Sequence, residues 1–350
     1  MELLKGFANR LMTRGRMPVN HTRGVLSANL LRGLLPFILL SLAATMRGQR
    51  LTLVELNCEN RFDCRDDSLK EDEEFLPGGP RRWTRTRYWR KLNNIGQELL
   101  SCSDRLPDLM ALVEVESDTV MHDLTRRSLL RNAGYQYMMT CSPDLRGLDV
   151  ALLWQPSAFR PICYDTYTVP TLKDMRPTRD ILYVQGETVG GDTLHIFVIH
   201  APSRYGGEKE SRPFRRQVAE VLLEQTAMLR QENVIIAGDF NDYADSPVMR
   251  LYYGQGLVNA TATATGSNGA KGTYRYEGEW RSIDHVLLSP RMNEKTDTVY
   301  INDAGFLLED DPRYGGKRPW RTYQGFNYRP AFSDHLPLVV QFRDSGRARR

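Results

Sequence analysis

Eight side chains able to hold a cation, grip a phosphate or move a proton stand where apolar runs stop or start. Asn57, Glu114, His200, Asp239 and Asn241 close such runs, and Asp284, Asp334 and His335 open them. The densest place is residues 233–242, where a β-branched run meets Gly238 and then gives a carboxylate, an amide and a second carboxylate within four residues. Glycine permits a sharp turn there, so Asp239 and Asn241 can project from the strand end. Taken alone, Asp239, Asn241 and Asp242 read as turn formers before a helix start at Asp245-Ser246-Pro247. Recurrence of the pattern changes that reading. Where strands run in opposite directions, C-terminal ends of some lie beside N-terminal starts of others, so one rim can collect the set. Carboxylates gathered there repel, and a cation or a proton must offset them. Carboxylate and amide oxygens suit Mg²⁺ or Mn²⁺, and no Cys/His cluster has zinc spacing. The expected chemistry is attack of water on a phosphoester without a covalent intermediate. The ion would polarise a phosphoryl oxygen, Asp239 would deprotonate the water, and histidines would donate to the phosphoryl group.

The elements that must position these groups follow from the apolar patterning. Residues 51–57 read as a strand ending at Asn57, and 59–80 as an acidic surface loop closed by Pro77-Gly78-Gly79-Pro80. Helical spacing runs over 83–100, and 109–114 is an apolar run stopping at Glu114. Residues 117–132 read as a helix capped by Ser117. Paired strands are expected at 135–140 with 149–154, and at 181–187 with 193–200 around Gly190-Gly191. A helix over 212–229 precedes the 233–242 strand. Residues 260–272 have the composition of a flexible loop, 282–289 form another strand, and 336–342 form the last. Many short strands, some in hairpins, with few helices between them suggest two packed sheets flanked by helices.

Length and charge set outer bounds. The chain has 350 residues, 41% of them hydrophobic, enough for a sizeable core. Its net charge of +4 is unevenly spread: residues 1–50 hold eight Lys/Arg and one acid, which leaves 39 bases against 42 acids in 51–350, or −3. That body offers no bulk attraction to nucleic acid, although a local basic groove would. Residues 1–49 read as an export signal with a long n-region. Arg23 and Arg32 precede the apolar run 34–44, which is shorter than a membrane span, with cleavage expected between Ala43 and Gln49 and a start at Met17 as an option. The mature chain is then periplasmic, surface-bound or extracellular, without a transmembrane segment. Residues 344–350 read as a basic tail. Five cysteines, at 58, 64, 102, 141 and 163, leave an odd thiol; free buried cysteines are the default, and Cys58–Cys64 is the pair to test first.

The same residues carry a resemblance. Asn57, Glu114 in Leu112-Val113-Glu114, His200 in Ile199-His200-Ala201-Pro202, Gly238-Asp239-Phe240-Asn241, Ser282-Ile283-Asp284 and Ser333-Asp334-His335 resemble, in order, the motifs of the endonuclease/exonuclease/phosphatase superfamily. The match spans residues 51–343, expected to be a single catalytic domain. The resemblance implies a four-layered α/β sandwich and a divalent-metal-dependent phosphoesterase. It implies Glu114 as the main metal ligand with Asn57 and Asp334 close by. Asp239 would act on the water positioned by Asn241, and His335 would contact the phosphate while paired with Asp284. Histidine at 200 leans toward deoxyribonuclease I-like members and away from apurinic endonucleases. Arg146 and Asp149 are candidates for a further phosphate contact and its orienting carboxylate, with an ion pair at a hairpin as the bland alternative. His195, five residues from His200, falls on the opposite face of its strand and reads as structural, as does His285. His122 reads as exposed, and Trp280 and Trp320 as packing residues.

An exported nuclease is the leading expectation, acting on nucleic acid as a monomer with no protein partner. Hydrolysis of a phospholipid headgroup, sphingomyelin or inositol phosphate is the alternative, since the body charge is negative. A non-catalytic binding member of the fold is a third, disfavoured by the intact set Glu114, Asp239, Asn241, Asp334 and His335.

Overall fold

The computed structural model describes residues 50–343. The expected export segment and the basic tail lie outside these residues. Twelve strands, numbered in chain order, build two six-stranded sheets. The first holds β1 (Arg50–Arg61), β2 (Leu109–Val115), β3 (Gln136–Met139) and β4 (Asp149–Trp154). The second holds β5 (Phe159–Tyr167), β6 (Ile181–Thr188), β7 (Thr193–His200), β8 (Asn233–Asp239), β9 (Val258–Asn259) and β10 (Asp284–Leu288). The chain then returns to the first sheet with β11 (Thr296–Ile301) and β12 (Leu338–Arg343). Spatial order is β11-β12-β1-β2-β4-β3 in one sheet and β5-β6-β7-β8-β10-β9 in the other. Each has a single parallel pair near its middle, β1 with β2 and β7 with β8, and antiparallel neighbours elsewhere.

Strand alternation sorts the side chains into three layers of packing. Leu53, Ala111, Val113, Val150 and Leu152 of one sheet meet Ile196, Val198, Ile235, Ala237 and Val286 of the other. On the outer face of the first sheet, Val54, Leu56, Met110 and Leu112 pack against α1 (Arg85–Leu100) and α2 (Asp118–Arg126). On the outer face of the second, Phe197, Ile199, Val234 and Ile236 pack against α3 (Glu208–Thr226) and α4 (Pro247–Gly254). The expected sandwich flanked by helices is thus present. Ser117 Oγ caps α2 by accepting from Val120 N at 3.3 Å, as its position suggested.

Several expectations need correction. β1 does not stop at Asn57 but runs to Arg61, because Glu59 and Asn60 take left-handed φ values of 51° and 53° and shift its register. The helix after Ser117 ends at Arg126, where Asp123 O accepts from both Arg127 N and Ser128 N. Strands β5 and β11 were not foreseen; both are sheet edges, so their outer positions are polar or half-exposed and hide the pattern. The stretch 260–272 is pinned rather than loose: Asp303 accepts from Asn268 N at 2.7 Å and Ala270 N at 3.0 Å. Cys58 and Cys64 are not bridged, and all five cysteines are free thiols, Cys58 and Cys102 buried and Cys141 and Cys163 exposed. Among the described residues no helix is long and apolar enough to cross a membrane.

Candidate active site

By alternation Asn57, His200, Asp239 and Asp284 all fall on the face that looks toward the opposing sheet, because Leu53, Ile196, Val198, Ile235, Ala237 and Val286 do. They lie at one end of the sandwich. β7 and β8 are in parallel register with His200 beside Asp239, and β8 and β10 in antiparallel register with Asp239 beside Asp284. The sheets thus bring the ends of β7 and β8 beside the start of β10, whereas Asn57 lies within β1 and Asp334 and His335 precede β12.

Glu114 reaches this rim by a different device. Alternation along β2 would send it to the helix side, but the register slips between Val113 and Val115 and Glu114 takes φ of 60°. A non-glycine residue rarely adopts that region, and the bulge turns its carboxylate inward. There Asn57 Nδ2 donates to Glu114 Oε1 at 3.3 Å and to Asp239 Oδ2 at 3.1 Å, while Asn60 N donates to Glu114 Oε2 at 2.6 Å. Asn241, also left-handed with φ of 50°, donates its backbone N–H to Asp239 Oδ1 at 2.7 Å and its Nδ2 to Ala201 O at 3.0 Å. Gly238 makes the approach of β7 and β8 possible: with φ of 146°, an added Cβ would sit 1.9 Å from Ile199 O.

Asp284 and His335 form the second half of the rim. His335 Nδ1 lies 2.8 Å from Asp284 Oδ2, which also accepts from Thr273 Oγ1. Ser333 ties this loop to β1 by donating to Asn57 O at 2.6 Å. Burial opposes charge on the His335 ring, yet Asp284, Asp334 and Asp239 outweigh it and hold its pKa well above the ordinary value. His200 behaves oppositely. Burial first, then the cations Arg179 and Arg146, keep it well below the ordinary value, so it is a neutral imidazole with Nε2 at 3.7 Å from Asp239 Oδ2 and 3.9 Å from Glu114 Oε1. Asp239 itself is raised by burial and by Asp284.

Asp334 forms an ion pair with Arg321, Nη2 to Oδ2 at 2.8 Å. Arg321 and Lys91 also reach Glu59, at 3.4 and 3.2 Å. Among the described residues Asp239, Asp284 and His335, all buried, bring side-chain polar atoms within 4.8 Å of one another, and with His335 charged it is the carboxylate oxygens that can meet a cation. The residues fit a hard divalent ion. Asp284 Oδ1 is buried without a partner, and so are both oxygens of Glu55, which burial, Asp284 and Asp239 push upward in pKa. This surplus of oxygen donors and of negative charge is what such an ion offsets.

Arg146 and Asp149 do not pair. Asp149 starts β4 on the face opposite Val150 and Leu152, and its Oδ1 accepts from Thr140 Oγ1 at 2.6 Å and Ser142 N at 3.0 Å. Arg146 is half-buried, and its charge still bears on His200. Arg179 was not anticipated. It is buried, bonds Asp144 Oδ2 at 3.3 Å and acts on His200 more strongly than Arg146 does. Its only sequence signal is an arginine just before a strand, which is weak. His195 stacks on Tyr183 with Nδ1 2.8 Å from its hydroxyl, and His285 Nε2 contacts Asp242 O at 2.9 Å, so both are structural as expected. His122 is exposed; Trp280 and Trp320 pack around Phe332 and Leu307.

Chemistry of this kind, in an α/β sandwich that turns carboxylates and a charged histidine toward one rim, is that of the metal-dependent phosphoric-ester hydrolases. A model of the Endonuclease/Exonuclease/phosphatase family matches residues 52–344, and the chain belongs to that family. No curated protein sequence matches the chain. Solved structures with the same fold include an endonuclease/exonuclease/phosphatase family protein from Bacteroides thetaiotaomicron, with TM-score 0.57, 16% identity, and 84% of this chain and 98% of that one covered. A mannosyl-6-phosphatase from B. thetaiotaomicron VPI-5482 aligns with TM-score 0.53 and 16% identity over 83% and 98%. TDP2 from D. rerio, complexed with a single-strand DNA product, aligns with TM-score 0.51 and 15% identity over 84% and 99%.

Proposed function

We propose that the protein is an exported nuclease that hydrolyses phosphodiester bonds of nucleic acid with Mg²⁺ or Mn²⁺. The observation that carries the substrate class is a groove of about 630 Å³ that reaches Asp334 and is lined by aromatic rings and by five arginines against four acids, among them Arg81, Tyr274, Tyr276, Arg313 and Tyr314. Tyr276 and Tyr314 are exposed, and Arg313 lies over the Tyr314 ring at 5.0 Å. Rings interleaved with guanidinium groups suit bases and phosphates of a single strand. The complex of TDP2 with a DNA product supports the same reading. Export rests on the basic and then apolar sequence before Ala44.

In this reading Glu114 holds the cation with Asn57 and Asp334, and Asp239 and Asp284 add oxygens facing the same space. The ion, when bound, supplies charge to a phosphoryl oxygen and to the leaving group. Asp239, aligned by Asn57 and by the Asn241 N–H, takes a proton from the attacking water. Asn241 orients that water, and His335, kept charged by Asp284, donates to a phosphoryl oxygen. His200, neutral, offers a hydrogen bond without adding to the charge, and Arg146 and Arg179 favour the anionic substrate.

Nicking of supercoiled plasmid tests the reading. The protein should nick in Mg²⁺ or Mn²⁺ and stop in chelator, and His335→Ala should lower the rate at least about 100-fold, the range for loss of a charged donor to the phosphoryl group. Intact plasmid under every metal would refute it. The −3 balance of residues 51–350 favours small phosphoesters as the second reading, with sugar phosphates, inositol phosphates and lipid headgroups as the substrates to assay in that event.

A further inference from the structure

Two guanidinium groups converge on one ring at the border of the rim. The Arg204 and Arg281 side-chain carbons lie over Tyr243, 4.3 and 4.5 Å from its centroid. All three residues are tethered to strand ends of the site: Tyr243 follows Asn241 by two positions, Arg204 follows His200 by four, and Arg281 precedes Asp284 by three. Such tethers span at most about 14 Å of chain. The cluster therefore flanks the reacting centre.

Two cations over one ring repel each other, and the ring quadrupole offsets only part of that cost. The acids that feel the Arg204 charge, Asp242 and Glu208, bond other arginines, and Asp242 keeps one buried oxygen, Oδ1, without a partner. Asp242 Oδ2 takes Arg215 Nε at 2.9 Å, and Glu208 pairs with Arg212 at 2.5 Å and Arg215 at 3.5 Å. The acid nearest Arg281 is Glu279, at 3.8 Å with a side chain 76% exposed. Arg204 Nη1 is buried and has no hydrogen-bond partner. A buried donor on Arg204 and the half-exposed guanidinium of Arg281 thus stand beside a site that handles phosphate, and planar guanidinium groups match phosphate oxygens in geometry as well as charge.

We propose that Arg204, Tyr243 and Arg281 form a subsite for a second phosphate of the bound substrate, the neighbouring phosphate of a nucleic-acid strand. Tyr243 holds the two guanidinium planes in place, and the arginines grip the anion. This deepens the nuclease reading and rests on it. A substrate with a single phosphate has no use for the subsite.

The test is binding of a fluorescein-labelled single-stranded oligothymidylate, read by anisotropy in chelator across a range of KCl, so that nothing is cleaved. Arg281→Gln and Arg204→Gln should each weaken binding about tenfold at low salt and reduce the slope of log affinity against log salt by about 0.7, the share of one contact to a single strand. Arg281, at the surface, is the cleaner variant, and its melting temperature should match the parent. Unchanged affinity and slope in both variants would overturn the proposal, as would an oligonucleotide that binds none of the proteins. In a parallel calorimetric arm, an inositol trisphosphate that loses affinity while the oligonucleotide does not would overturn the strand assignment. Arginine-dependent strand binding without any cleavage in Mg²⁺ or Mn²⁺ would refute the nuclease reading and support the subsite.

Discussion

The pair Asp284–His335 sets the charge state of the rim. A histidine enclosed by protein would ordinarily lose its proton, and only the carboxylates around His335 keep it charged. Replacing Asp284 by Asn keeps the shape and Thr273 as a neighbour but removes the charge in contact with the ring. Asp284→Asn should therefore lower kcat about 100-fold or more and bring the fall of activity on the alkaline side to lower pH, since His335 then loses its proton sooner. A pH–rate profile with the alkaline limb unmoved would show that Asp284 does not hold that proton. At this scale the sequence was informative where a polar group ended or began an apolar run, as for Asp239, Asp284 and His335. It was silent on Glu55, which interrupts an apolar run and looks like an ordinary alternating position, and on Arg179, whose partner Asp144 comes from another loop. It also paired Arg146 with Asp149 on proximity in the chain, whereas Thr140 and Ser142 take the carboxylate.

Strand ends, rather than loops, hold most of the site, so small backbone changes there have large effects. Gly238 is the sharpest case. An added methyl meets the Ile199 carbonyl of the adjoining strand at 1.9 Å, and the backbone torsion is one that alanine avoids. Gly238→Ala should destabilise the protein by about 3 kcal/mol or more through overpacking and torsional strain, and displace Asp239 enough to abolish activity. A thermal melt unchanged within about two degrees would contradict this. Glu114 makes the complementary point. Its sequence context, Leu112-Val113-Glu114-Val115, predicts plain alternation, and nothing in it announces the bulge. The edge strands β5 and β11 escaped for a related reason: a strand with one neighbour need not be apolar on alternate positions.

At the scale of the whole molecule, stability responds to carboxyls buried away from the rim. Glu98 on α1 has both oxygens enclosed without partners, and burial raises its pKa to about 8, with Lys91 only partly offsetting this. Its folded-state pKa exceeds the unfolded value near 4.5, so the folded state binds the extra proton between those limits. Stability from this group is full below about pH 4.5 and is lost as pH rises toward 8, at about 1.4 kcal/mol per pH unit. Glu98→Gln should match the parent near pH 4.5 and exceed it by a few kcal/mol at pH 8, as read by urea unfolding in chelator. Equal stabilities at pH 8 would mean that Glu98 ionises without cost. The sandwich itself was legible from the count and spacing of apolar runs, because two facing sheets require that many short buried strands. The order of strands within each sheet was not, since neighbours such as β1 and β12 lie nearly the whole described chain apart.

That last pairing bears on when the enzyme becomes active. Arg50 at the start of β1 is in register with Arg343 at the end of β12, and His335 arrives only a few residues before β12 begins. A chain emerging from the ribosome exposes β1 long before it can offer β12, Asp334 or His335. Until then β1 lacks one of its two neighbours, and the rim lacks the histidine that completes it. A nascent chain thus has no complete rim until β12 and the residues just before it have emerged.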